Sequence, residues 1–158
     1  MKTTNILALV VISILITVLG MAIAGEKVLL TVEVPLPEDL KIVAPAEDIP
    51  KDIAAFSGVW EGEWPVLGIE AVLVVEEINS KEARIIYAKG KLSGFYESPA
   101  SYERATARVI PEKRQIKFAL GARDKFTFSI ESNLEQIIGT EGLPGRSYRI
   151  EMKKVKLE

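Results

Sequence analysis

The sequence predicts an all-β protein: an eight-stranded antiparallel up-and-down barrel preceded by an apolar N-terminal helix. Three observations carry this. Residues 56–64 alternate strictly, with Trp60, Gly62 and Trp64 on one face and Val59, Glu61 and Glu63 on the other. A strand repeats every two residues, so one face is built for a core and the other mostly for water. Seven further β-prone runs follow at even spacing, separated by polar turns, the pattern of a barrel or sandwich. Residues 6–24 are apolar and uncharged, unlike anything after them.

The second strand spans 69–78 and is rich in Val, Ile and Leu, the composition of a well-buried strand. Asn79-Ser80-Lys81 is a turn signal, and 83–89 is the third strand. A longer loop, 92–100, carries Gly94, Phe95, Tyr96 and Pro99. In the fourth strand, 102–110, Ala105, Ala107 and Val109 alternate with Arg104, Thr106 and Arg108. After a polar turn at 111–114, the fifth strand, 115–120, places Ile116, Phe118 and Leu120 on one face. Phe126, Phe128 and Ile130 do the same on the sixth. The seventh strand is expected at 134–139, with residues 139–142 as a loop, and the eighth at 147–155. Short connections favour pairing between sequence neighbours over Greek-key crossing. Closing eight strands leaves no exposed edge.

The chain divides into 1–24, 25–55 and 56–158. Residues 1–24 combine one basic residue, an apolar run and Ala22-Ile23-Ala24, the three-part form of a cleavable export signal. An uncleaved anchor competes, because 6–24 approaches the ~20 residues that span a bilayer. Lys2 favours an inside N-terminus in both readings. The remainder is then periplasmic or secreted, or sits outside the cytoplasmic membrane on its anchor. Residues 25–55 read as a tether. The stretch 28–34 is β-prone and could join a sheet edge, and prolines at 35, 37, 45 and 50 make 36–50 an extended spacer. Residues 48–56 could form a helical turn that plugs one end of the barrel.

A net charge of −2 over 158 residues, with no basic block, argues against nucleic acid as a partner. The absence of Cys and His removes disulfides, the usual transition-metal ligands and histidine-based nucleophilic catalysis. No cofactor or metal is expected, and no enzyme activity.

Gly58-Val59-Trp60, a Gly-x-Trp on the first strand, followed by the right number of meander strands, resembles the lipocalin and fatty-acid-binding group, the calycins. The resemblance covers 56 to about 155. It implies that the Trp lies near the closed end, under a basic side chain from the last strand, a role open to Arg146 or Arg149. The second and third lipocalin motifs and a Cys pair are missing, and the fuller Trp-Glu-Gly-Glu-Trp looks more like small bacterial lipocalin-like domains.

The candidate ligand-binding residues are Trp60, Trp64, Tyr87, Ala105, Ala107, Phe118, Phe126 and Phe128. Inward alanines leave room, and an eight-stranded barrel can just hold one small ligand. Against this, the aromatic rings can fill that room as core. Glu61, Glu63, Glu70, Glu76 and Glu77 could pair as catalytic carboxylates or hold calcium. Their alternation with inward tryptophans favours a solvated outer face. Arg104 and Arg108 read as outward and ordinary. The leading expectation is an exported, non-catalytic barrel binding a small apolar or amphipathic molecule. The alternative is a filled barrel, tethered to the membrane through 6–24, that serves as a structural or protein-interaction module.

Overall fold

The computed structural model describes residues 32–93, 97–122, 124–143 and 145–156. The expected helix over 6–24 and the Phe95–Tyr96 part of the loop lie outside the described residues. Among the described residues no helix is long and apolar enough to cross a membrane.

A one-turn helix, α1 (Lys51–Ala54), precedes eight strands: β1 (Gly58–Trp64), β2 (Ile69–Ile78), β3 (Glu82–Lys89), β4 (Ser101–Ile110), β5 (Gln115–Leu120), β6 (Asp124–Ile130), β7 (Gln136–Leu143) and β8 (Arg146–Lys154). Each pairs antiparallel with its sequence neighbour, and β8 returns to β1 to close the barrel. Five of the turn regions show why the chain reverses where it does. Asn79 Oδ1 accepts from the Lys81 and Glu82 amides, and Asn133 Oδ1 accepts from the Glu135 amide. Gly68, Gly121 and Gly145 supply a positive φ at three of the others.

The α1 end is plugged. Pro50 opens the helical turn, and its Ile53 and the following Phe56 are fully buried in the barrel core. Arg114, reversing the chain between β4 and β5, reaches Asp52 at 3.2 Å and donates to the Glu131 carbonyl at 3.1 Å. The plug is therefore fastened to two turns at that end. At the far end lie the β1–β2 turn, 65–68, and the start of β4. The β4–β5 ladder is the shortest among the described residues, pairing Arg108–Ile110 with 115–117 at the plugged end.

Three expectations are corrected. Residues 139–142 are not a loop: β7 runs Gln136–Leu143, and Gly139 pairs with Phe128 and Ile150. A Cβ on Gly139 would overlap both of those side chains. The glycine is there to admit a ring, and it reads as a turn signal only out of context.

Secondly, the outer face of β1–β3 is only partly for water, with Glu63 and Arg84 exposed on it. Val59, Val72, Val74, Ile86 and Ala88 form a second buried cluster outside the barrel. Thirdly, the described part of the tether, from residue 32 on, does not stand free of the barrel. It lies along that outer face, with Val32, Val34, Leu36, Leu40 and Ile42 packed on the second cluster. The 28–34 stretch makes no strand over its described part, 32–34. The tether is held instead by single bonds: the Glu33 amide donates to a Glu70 carboxylate oxygen at 2.9 Å, and the Val43 amide to the Glu76 carbonyl at 2.7 Å. The prolines forbid a continuous ladder but not burial.

Candidate functional site

Seven of the eight candidate residues are buried in the barrel interior, and Ala105 is half-buried against the same core. They fall into two groups. Trp60 sits at the plugged end among Ile53, Phe56 and Met152, all fully buried. Its indole N–H donates to the Phe56 carbonyl at 2.8 Å, which ties strand to plug. Ala107 and Phe128 lie in the same half and are also fully buried.

Trp64, Tyr87, Phe118 and Phe126 gather toward the far end. Tyr87 and Phe126 have ring centroids 4.9 Å apart, Phe118 and Phe126 5.0 Å, and Phe118 and Phe128 5.9 Å with nearly parallel planes. Trp64 donates its N–H to the Tyr87 hydroxyl at 2.8 Å, satisfying both polar tips inside an apolar layer. Burial pushes the Tyr87 phenol well above its ordinary range, so it stays a neutral hydrogen-bonding group. Exposure of the four residues is at most 6%.

The interior is thus an aromatic stack on an aliphatic layer. A side chain lining a void large enough for water would show exposed surface to that void. The wholly buried side chains at the plugged end show none. Ala107 is fully buried, whereas Ala105 is only half-buried.

Sequence reasoning missed two inward polar groups. On β7 the alternation that buries Ile137 and Gly139 carries Glu141 inward as well, half-buried at the far end. Desolvation raises its pKa, and the nearby Asp124 charge adds to the shift. On β8, Ile150 and Met152 face in, and Lys154 continues that face. It is Lys154, not Arg146 or Arg149, that covers the first-strand tryptophan: Nζ lies 5.1 Å from the Trp60 ring centroid and donates to the Ala55 carbonyl at 2.7 Å. Arg146 and Arg149 are exposed, and Arg149 pairs with Glu151 on its own strand. Counting in twos from Ile150 would have found the lysine. Burial pushes its ammonium below the usual lysine range.

The Gly-x-Trp pair gains a physical reason here. Gly58 has φ +116°, and a Cβ on it would come within 3.3 Å of the Lys154 stem. The glycine clears the path by which the lysine reaches the indole.

Outside the barrel, Glu76 is the charged residue that is buried among those described, at 6% exposure. The register shifts between Val75 and Glu77. This bulge turns Glu77 outward and lets Ile78 face the core. Glu76 accepts from the Lys41 amide at 3.3 Å and lies 3.6 Å from Arg104 Nε. Arg104 also grips Asp39 with two hydrogen bonds, at 2.7 and 3.2 Å. These bonds hold the Asp39 carboxyl below the usual aspartate range. So Glu76 and Arg104, read from sequence as ordinary outward residues, lock the N-terminal strap. Glu70 holds the strap's other end. Among the described residues no group of acidic side chains is arranged to hold a metal ion.

Comparison with family models, with curated proteins and with solved structures finds no match to the chain. The class of protein defined by the fold is a closed eight-stranded antiparallel barrel, compatible with a calycin-like architecture.

Proposed function

We propose that the protein is a non-catalytic barrel with a filled core, held at the outer side of the cytoplasmic membrane by residues 6–24, and used as a structural or protein-interaction module. The observation that carries this reading is the interior itself. Ring centroids 4.9–5.9 Å apart and near-complete burial support a core packed by its own side chains. The strap supports it from the other side. A segment fastened by Glu70, Glu76 and Arg104 leaves only residues 25–31 between the apolar run and the barrel.

The test is a titration of the purified protein with the hydrophobic fluorophore anilinonaphthalene sulfonate. A filled core gives no saturable enhancement. Saturable enhancement that Phe118→Trp alters would overturn the reading in favour of an interior site. For the anchor, the mass of the protein extracted from native membranes should include residues 1–24.

A second reading has one observation behind it. Glu141 brings a carboxyl to the rim of the aromatic group formed by Trp64, Tyr87, Phe118 and Phe126, where β4 and β5 are not paired. An amphipathic ligand with a cationic head would meet both. Its binding would require the rings to part, and it would weaken on Glu141→Gln.

A further inference from the structure

The β1–β2 turn is the one place among the described residues where two large aliphatic side chains are exposed side by side. Val66 is 71% and Leu67 47% exposed. They sit at the tip of a tight reversal in which the Leu67 and Gly68 amides both donate to the Trp64 carbonyl, at 3.1 and 2.8 Å. The turn closed by these bonds presents both apolar side chains at the surface. Tyr102, 43% exposed, lies toward the same end on β4. Apolar side chains exposed together at a hairpin tip are available for contact.

The chain itself says what that surface meets. The strap begins at the same end. Glu33 is bonded to Glu70, two residues past Gly68, and its carbonyl lies beside Gly90. Seven residues, 25–31, separate the apolar run 6–24 from the first described residues of the strap. At ~3.5 Å per residue, that link reaches no more than about 25 Å. In a barrel anchored by 6–24, a link of that length lets the far end lie against the bilayer.

We infer that Val66 and Leu67 dock into the interfacial layer of the membrane that holds the anchor, so that the barrel lies against the bilayer at a fixed orientation. This rests on the anchored reading proposed above. Two aliphatic side chains give weak binding on their own. The short link makes the contact intramolecular, with an effective concentration on the order of millimolar or above, so weak binding suffices. Tyr102 is placed to sit at headgroup level, where tyrosine is favoured. The contact is apolar, so it is insensitive to salt and to anionic lipid.

The chain has no cysteine, so single labels are clean. The full chain carrying Leu67→Cys or Asn133→Cys, each labelled with nitrobenzoxadiazole, is reconstituted into phosphatidylcholine vesicles with and without phosphatidylglycerol. Both positions are exposed turn residues, and Asn133→Cys gives up only the one bond that Asn133 Oδ1 accepts from the Glu135 amide. Doxyl-labelled lipid should quench the probe at 67 several-fold more than the probe at 133, equally in both lipid mixtures. Protein that floats with the vesicles but shows equal quenching at the two positions overturns the docking and leaves the anchor standing. Protein that fails to float overturns both. A blue shift at 67 that appears without lipid and grows with protein concentration overturns it in favour of a second copy of the chain.

Discussion

Lys154 and Trp60 stand opposite each other in the β8–β1 ladder, with the ammonium 5.1 Å from the indole centroid and 2.7 Å from the Ala55 carbonyl. One cation thereby joins the last strand, the first strand and the plug. The indole completes the circuit through its bond to the Phe56 carbonyl. Closure of the barrel and seating of the plug are one event at this point.

Lys154→Met should therefore cost stability, by roughly 1–3 kcal/mol, because the Ala55 carbonyl loses its donor and the indole face its cation. Urea unfolding followed by tryptophan fluorescence measures it. Gly58→Ala should cost about as much, roughly 1–3 kcal/mol, through a side chain forced to positive φ. The pH dependence has a definite sign. Burial depresses the Lys154 pKa from 10.5, so the unfolded chain binds the proton more tightly. Stability of the native protein relative to Lys154→Met should then rise with pH as it approaches 10.5. The neutral amine still donates to Ala55.

Gly139→Ala should be among the more damaging single methyl additions. The methyl would enter the space of the Phe128 ring and the Ile150 side chain. Overpacking of this kind costs about 1–3 kcal/mol, and Phe128→Leu in the same chain should recover part of it. A double-mutant unfolding cycle checks the coupling.

The strap should release before the barrel unfolds. Arg104→Met removes both bonds to Asp39 and the cation beside Glu76. Hydrogen exchange at the Lys41 and Val43 amides should quicken, while exchange in β5–β7 is unchanged. Acid should mimic the substitution. The Asp39 pKa is lowered below 3.8, so its contribution is full above that value and is lost as pH falls through the depressed pKa.

Glu141→Gln should stabilise the protein at neutral pH. The raised pKa means the native state holds this proton more tightly than the unfolded chain does. Its ionisation in the fold is a penalty that sets in as pH rises through the window above 4.5. Thermal unfolding midpoints of variant and native protein should converge below that window and separate above it.

Two-residue periodicity made the barrel legible. It placed β2 and β5 at their observed bounds and turned all eight candidate residues toward the core. It failed where one residue served two purposes. Gly139 is a glycine for close packing inside a strand, and sequence alone reads it as a break. Glu76 and Arg104 have an outward phase, and an outward phase does not say that another segment lies on top. The apolar outer positions Val72 and Val74 were the available hint, since a strand hydrophobic on both faces needs a cover on each. Leu36, Leu40 and Ile42 could have been matched to that face. The prolines between and around them disguised a packed segment as a spacer.

A filled core has a mechanical consequence. Pressure unfolds proteins by eliminating the internal voids that the native state carries, and the volume change scales with them. A hollow barrel that waits for a guest offers such a reservoir. On the filled-core reading proposed above, this one, with Phe118, Phe126 and Phe128 stacked on one another, offers little, and compression should find almost nothing to squeeze out.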